Sequence, residues 1–109
     1  MNKKIQPAKN HEALYEAILR LESIEECRAF FEDICTIKEM QDLSQRYLVA
    51  QMLNEGKNYQ EICAATGAST ATICRVNKCL TYGEGYRAVL DKATGNKENK
   101  NVDDYEPEK

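Results

Sequence analysis

Residues 58–80 read NYQEICAATGASTATICRVNKCL, a pattern that predicts two short helices separated by one glycine. Asn58 is a favourable helix N-cap, and Glu61 follows it at the capping-box spacing. Gly67 can adopt the positive φ that ends such a helix, and Ser69 can begin the next one. The second helix has apolar residues at spacings of three and four, namely Ile73, Val76 and Leu80. The stretch therefore predicts a helix-turn-helix.

The outer face of the second predicted helix is short and polar. Its first turn presents Ser69, Thr70 and Thr72, and Arg75 follows one turn later. Such side chains suit a helix in the major groove of DNA, because they reach base edges and phosphates without steric blocking. A plain two-helix corner with a solvated outer face is the alternative, and the spacing alone does not choose between the two.

The composition indicates a small globular protein. The chain has 109 residues, of which 42% are hydrophobic and 30% charged, so one modest domain that gains from dimerisation is expected. No apolar run exceeds four residues, so no membrane span and no membrane partner are expected. The Lys3-Lys4 start lacks a following apolar stretch, so no secretory signal is expected. These features favour a cytoplasmic protein.

The charge distribution favours the helix-turn-helix as the contact surface for nucleic acid. The net charge of −3 argues mildly against a nucleic-acid partner. Within residues 57–81, however, Lys57, Arg75 and Lys78 outnumber the single Glu61, so this segment carries +2. That is a thin basic footprint, and it predicts modest affinity for phosphates.

The five cysteines do not form a metal or disulfide pattern. Their number is odd, no pair has C-x-x-C spacing, and His11 is the only histidine. They are interpreted as small apolar filler in a reducing compartment. The sequence shows no nucleophile, base and orienter triplet and no phosphate-binding glycine loop. It therefore predicts no enzyme, no catalytic residue, no metal site and no cofactor.

Three more helices are predicted upstream of residue 58. Their starts are placed at Asn10, Ser23 and Thr36, with Glu26 and Glu39 completing capping boxes at the last two. The first of these helices is expected to end near residue 22, and the third and longest near residue 55, where a glycine follows. No stretch alternates apolar and polar residues as a strand would, so the predicted fold class is all-α.

The longest predicted helix is apolar over much of its surface. Its stripe consists of Ile37, Met40, Leu43, Tyr47, Ala50 and Leu53, widened by Leu48 and Met52. A stripe this wide is hard to bury within one short chain. We therefore expect a two-fold homodimer whose N-terminal helices form a shared core. A compact monomer with some exposed Leu and Met is the alternative.

The C-terminal part is predicted to contain one more short helix, from Tyr86 to about Ala93, with Val89 and Leu90 facing inward. The residues beyond it are acidic and nearly devoid of apolar side chains. The predicted organisation is a flexible arm at 1–9, one helical domain at 10–93 with the helix-turn-helix at about 58–81, and a disordered acidic tail at 94–109.

This order of elements resembles the Trp repressor fold and, more narrowly, the Trp repressor-like YerC/YecD family of bacterial proteins. The resemblance covers about residues 12–93 and is carried by FFEDICTIKEM (30–40), the Gln45-Arg46 pair and TGASTATICRVNKCLTYG (66–83). It implies an intertwined homodimer and a regulator of transcription, by analogy a repressor, that binds double-stranded DNA with sequence specificity.

The resemblance also locates the place where the Trp repressor holds tryptophan. The repressor uses a threonine, two arginines, a glycine and a serine, and the matching positions are Thr36, Arg46, Arg75, Val76 and Cys79. Valine in place of glycine fills space that an indole needs, and cysteine in place of serine removes a hydroxyl partner. We therefore expect a vestigial ligand pocket, no response to tryptophan and no small-molecule effector. A smaller ligand is the alternative.

The resemblance assigns roles to the exposed residues. Side chains at the groove floor are expected to be Ser69, Thr70, Ala71 and Thr72, with Gln60 reaching a base edge from the preceding helix. Positive charge for the phosphates is expected from Arg46, Lys57, Arg75 and Lys78. Two other functions remain open: a protein-interaction module that uses the same exposed helix face, and a repressor that responds to a small ligand.

Overall fold

Six helices make up the chain in the computed structural model, which describes residues 7–94 and, for side chains, residues 10–93. They are α1 (Pro7–Leu19), α2 (Ile24–Ile34), α3 (Ile37–Asn54), α4 (Tyr59–Thr66), α5 (Thr70–Tyr82) and α6 (Gly85–Thr94). No strand occurs in this range, which confirms the all-α prediction. Most of the predicted N-terminal arm and nearly all of the predicted acidic tail lie outside the described residues. The chain divides into two compact units, residues 1–40 and 41–109.

The first unit contains a helix whose predicted bounds were wrong at both ends. α1 begins at Pro7, three residues before Asn10, and ends at Leu19 instead of near residue 22. Proline is favourable at a first helical position, because its φ suits the helix and its missing N–H would have no partner there. At the other end, the N–H groups of Arg20 and Leu21 bond carbonyls three residues back, which tightens and closes the last turn.

The start of α2 differs from the predicted capping box in one partner. The Ser23 hydroxyl accepts the Glu26 N–H at 3.0 Å, as predicted. The Glu26 carboxylate, however, accepts the N–H of Glu22 at 2.8 Å and so reaches one residue beyond the cap. The capping box at the start of α3 is confirmed, since Thr36 and Glu39 exchange both bonds at 2.9 and 3.0 Å.

The helices of the first unit expose much apolar surface. None of the described side chains of α1 and α2 is buried within the single chain. Leu19, Ile24 and Ile37 are 83%, 68% and 80% exposed, and Leu14, Tyr15 and Ile34 are also exposed. So many large apolar side chains in contact with water are unusual for a protein that works as a monomer.

The second unit has a small, dry core. Its buried residues are Val49 and Ala50 of α3, Ile62 of α4, Ala68, then Ile73, Val76 and Leu80 of α5, and Leu90 of α6. The predicted stripe on α3 omitted Val49, which is fully buried. Of the stripe itself, Ala50 is buried, whereas Ile37, Leu43 and Leu48 are exposed in the single chain, as expected of a stripe too wide to bury within one protomer.

The C-terminal end of α3 is held by specific polar contacts. α3 ends in a Schellman motif, because Gly56 has a φ of 86° and the N–H groups of Gly56 and Lys57 bond the carbonyls of Leu53 and Met52 at 3.0 Å. The Arg87 guanidinium of α6 donates to Asn54 Oδ1 at 2.7 Å, which joins α6 to the end of α3.

The last helix has one inward residue where two were predicted. α6 begins at Gly85, one residue before the predicted start, and Leu90 is buried. Val89 is 53% exposed, so the prediction that it faces inward was wrong. Adjacent helical residues are about 100° apart, and a short helix that packs along one line cannot bury both.

Candidate nucleic-acid interface

The helix α4 begins as the sequence predicts. The side chain of Asn58 accepts the N–H of Glu61 at 2.9 Å, and the Glu61 carboxylate accepts the N–H of Asn58 at the same distance. This confirmed capping box satisfies two N–H groups that would otherwise lack partners. Behind it, Ile62 is fully buried and Cys63 lies partly buried against the core.

The turn between α4 and α5 is built around Thr66 and Gly67. Gly67 has a φ of 76°, in the left-handed region that was predicted, and its N–H bonds the carbonyl of Cys63 at 2.9 Å. The Thr66 hydroxyl donates to the carbonyl of Ile62 at 2.7 Å and accepts the N–H of Ala68 at 3.0 Å. Ala68 is buried, so this tight corner leaves little freedom in the direction of α5.

The helix α5 is capped by Ser69 and anchored by three apolar side chains. The Ser69 hydroxyl accepts the N–H of Thr72 at 3.1 Å and donates to the Thr72 hydroxyl at the same distance. The predicted anchors Ile73, Val76 and Leu80 are all buried, the first two almost completely. Because the Ser69 hydroxyl is engaged in the cap, its hydrogen-bonding capacity toward a ligand is reduced.

The outer face of α5 is exposed and mostly polar. Thr70, Ala71, Arg75 and Lys78 are exposed, Thr72 is half-buried, and Cys74 is exposed beside them. Cys74 lies four residues from both Thr70 and Lys78, a spacing that puts it on the same helix face. That spacing was visible in the sequence, and the filler interpretation of this cysteine was wrong.

The other cysteines vary in burial. Cys27 and Cys79 are also exposed, whereas Cys35 and Cys63 are half-buried, and all five are free thiols. Only Cys63 is packed against the core, so the filler role fits that position.

A polar cluster joins α4 to the outer face of α5. The side chain of Tyr59 on α4 lies close to those of Cys74 and Asn77 on α5. Burial, and then the neighbouring Cys74, raises the pKa of Tyr59 above its ordinary value, while the neighbouring Asn77 acts in the opposite direction. Tyr59 therefore stays neutral at physiological pH. No local sequence pattern predicts this contact between two helices.

The remaining predicted DNA-contact residues are distributed over the second unit. Lys57 and Gln60 are exposed at the start of α4, and Arg46 is half-buried on α3. Arg46 directly follows Gln45, whose side-chain amide donates to the carbonyl of Thr66 at 3.1 Å. The Gln45 bond thus joins α3 to the corner between α4 and α5.

The predicted ligand-pocket residues have different environments. Thr36 belongs to the first unit and serves as the cap of α3. In the second unit, Val76 is 1% exposed within the core, while Cys79 is exposed. Cys79 borders an open surface groove of about 470 Å³ that is lined by Tyr47, Cys79, Gly83, Gly85, Tyr86 and Val89. Neither Val76 nor the two arginines line it.

The described residues contain neither a metal-binding cluster nor a membrane-spanning helix. No group of three or more His, Cys, Asp or Glu side chains is placed to hold a metal ion. Among the helices of residues 7–94, none combines the length and the apolar character that crossing a membrane requires.

Comparison with known proteins identifies the family. The family model described as Trp repressor protein matches residues 9–94. The chain is 52% identical over 85 residues to the uncharacterized protein YerC of Bacillus subtilis (strain 168), an alignment that covers 77% of this chain and 82% of YerC.

Solved structures agree with that match. A TrpR-like protein from Eubacterium eligens ATCC 27750 is 48% identical with a TM-score of 0.76, covering 85% of this chain and 96% of its own. A proposed Trp repressor from Staphylococcus aureus is 46% identical with a TM-score of 0.74, covering 86% and 95%. The family consists of DNA-binding regulators, so the prediction that this is not an enzyme is confirmed. The chain belongs to the YerC and Trp repressor-like family.

Proposed function

We propose that the protein is a sequence-specific transcriptional regulator, a repressor, that binds double-stranded DNA as a homodimer. The observation that carries this proposal is the exposed polar face of α5 on a helix fixed by buried anchors and a tight turn. A rigid helix with short polar side chains outward is the arrangement that a helix-turn-helix presents to the major groove.

The roles of the α5 side chains follow from their exposure. Thr70 and Ala71 are exposed in the first turn, where their methyl groups can contact thymine methyls at the groove floor. Thr72 is half-buried and bonded to the Ser69 cap, so it supports the first turn more than it reads bases. The free N–H groups of that turn can bind a phosphate.

Positive side chains flank this face. Lys57, Arg75 and Lys78 are exposed, and Arg46 is half-buried on α3, next to Gln45 in the sequence. We assign these four to phosphates, which fixes the register of the protein on DNA without reading sequence. Gln60, exposed on α4, is placed to reach a base edge from beside the groove.

The homodimer is supported by the apolar side chains that the single chain leaves exposed. Among the aliphatic ones, Leu19, Ile24 and Ile37 are the most exposed. Each such side chain contributes about 1.5–3 kcal/mol when it is fully buried, so a second copy that covers them provides a strong driving force. A two-fold dimer would place two α5 helices in successive major grooves, about 34–36 Å apart.

The test is a salt titration of binding to selected and random duplexes, together with sedimentation for the oligomeric state. We expect a dimer that selects a roughly palindromic duplex. Four cations per protomer predict that log K falls with log salt at a slope of about −7. A dimer that binds no duplex even at low salt would contradict the proposal and favour a protein-interaction role for the α5 face, which the net charge of −3 suits.

We expect no tryptophan binding, because Val76 is buried in the core where the repressor needs an open space beside a glycine. Isothermal titration of the protein with L-tryptophan should therefore show no saturable heat. The titration is repeated with the selected duplex present, since a co-repressor binds more tightly when DNA is bound. Saturable binding in either arm would contradict this and favour the ligand-responsive alternative.

A further inference from the structure

We propose that Gln45 is a positioning residue that fixes the α4–α5 corner on α3 and thereby sets which half-site spacing the dimer accepts. This inference rests on the proposed function. Gln45 is half-buried on α3, and its Nε2 atom donates to the carbonyl oxygen of Thr66 at 3.1 Å, across 21 residues of sequence.

The acceptor, the carbonyl of Thr66, lies where the chain turns from α4 toward α5. Thr66 is the last residue of α4, so its carbonyl is among those that have no partner within the helix. The next residue is Gly67, whose left-handed φ turns the chain toward α5. A Cβ there would lie 4.0 Å from the Gln45 amide nitrogen, an ordinary contact, so this position needs glycine for its backbone conformation and not for space. The amide therefore attaches where the direction of α5 is set.

The side chain of Thr66 is also hydrogen-bonded. Its hydroxyl bonds the carbonyl of Ile62 and the N–H of Ala68, at 2.7 and 3.0 Å. With the Gln45 bond added, side chain and carbonyl of the same residue are both fixed. Apolar packing of Val49 against the α4–α5 core is not directional and permits small rotations. The hydrogen bond from Gln45 is directional and resists them.

The exposed apolar residues of α3 explain why this bond matters. α3 exposes Leu43 and Leu48, which the proposed dimer would cover, while α5 carries the reading face. The Gln45 bond joins the helix that belongs to the dimer core to the corner that aims α5. Without it, the two reading helices would keep their contacts with DNA but lose their fixed separation.

The test compares Gln45→Met with Gln41→Met in the full-length protein. Methionine keeps the length and helix propensity of glutamine but has no donor. Gln41 is exposed one turn earlier on the same helix and serves as the matched control. Binding is measured to the selected duplex and to versions with the half-site spacing changed by one base pair. Amide hydrogen exchange of the free protein is measured in parallel.

For Gln45→Met we expect about tenfold weaker binding to the native spacing, because the two corners of the dimer are no longer pre-ordered and must be ordered when DNA binds. Binding to the altered spacings should change less, so the preference for one spacing becomes weaker. The amides of Gly67 and Ala68 should exchange faster while those of the buried α5 anchors stay protected. Gln41→Met should match the wild type in all three measurements.

Two results would overturn the inference. One is an equal loss of affinity for duplexes of all spacings, which would indicate general destabilisation. The other is unchanged amide hydrogen exchange at Gly67 and Ala68. If the wild type binds no duplex, the proposed function fails, and the exchange measurement alone still decides whether Gln45 holds the corner. Sedimentation and circular dichroism of both variants confirm that each remains a folded dimer.

Discussion

Replacing Ile73 with alanine should lower the free energy of unfolding by about 3 kcal/mol. Ile73 is fully buried and is the first inward anchor of α5 after the Ser69 cap. The substitution removes apolar area from the core and leaves a cavity that the neighbouring Ile62 and Val49 cannot fill without moving. Only eight of the residues that the structure describes form the buried core, and a protein of this kind is marginally stable. The loss of one large core side chain is therefore a large fraction of the total free energy of unfolding.

The measurement is guanidinium unfolding followed by circular dichroism, at several protein concentrations because a dimer unfolds in a concentration-dependent way. Lys78→Ala is the matched control, since Lys78 is exposed on the same helix. It should change the free energy of unfolding by no more than about 0.5 kcal/mol. Similar losses for the two variants would mean that the core does not depend on the α5 anchors.

The features that the sequence predicted correctly are those encoded within one or two helical turns. The capping boxes Asn58–Glu61 and Thr36–Glu39 each need only residues three apart, and both form. The same holds for the left-handed Gly67 between the two helices. Local hydrogen bonds and backbone preferences depend little on tertiary context, so their residue patterns are informative.

The errors occurred where two local solutions compete. The first helix has a proline at residue 7 and an asparagine at residue 10, and each can mark a start; the structure uses the proline. At α2, the Glu26 side chain can reach either of two neighbouring N–H groups, and it bonds that of Glu22. In α6, two adjacent apolar residues compete for one inward position, which Leu90 takes. Tertiary packing decides the case in α6, and a short pattern does not contain that information.

The outer face of the candidate interface was predictable, but its supports were not. Exposure of Thr70, Ala71 and Arg75 follows once the anchors of α5 are known, because a helix has one inward stripe. The links Gln45–Thr66 and Tyr59–Cys74 join residues 21 and 15 positions apart in different helices. The spacing of residues within one helix does not predict contacts with another helix. Such a pair is identified only from the three-dimensional structure.

Replacing Arg75 with alanine should weaken binding to every duplex by about tenfold or more. Arg75 is exposed on α5, one turn after the residues assigned to the groove floor, and in the proposed complex it contacts phosphates instead of bases. The dimer would lose two cations, so the salt slope should fall in magnitude by about two. The measurement is a salt titration of the variant on the selected duplex, on random duplexes and on single-base variants of the site.

Thr70→Ala is the control that separates phosphate contacts from base reading. Thr70 is exposed one turn before Arg75 but has no charge, and its methyl group is placed for a thymine. Replacing Thr70 should alter the base preference at one position of each half-site and leave the salt slope unchanged. Replacing Arg75 should instead reduce the salt slope and leave the base preference unchanged. If the loss of affinity in Arg75→Ala is confined to one base position and the salt slope does not change, Arg75 contacts a base and not a phosphate. The specificity of this protein would then depend on an arginine–guanine contact instead of the short polar side chains of α5.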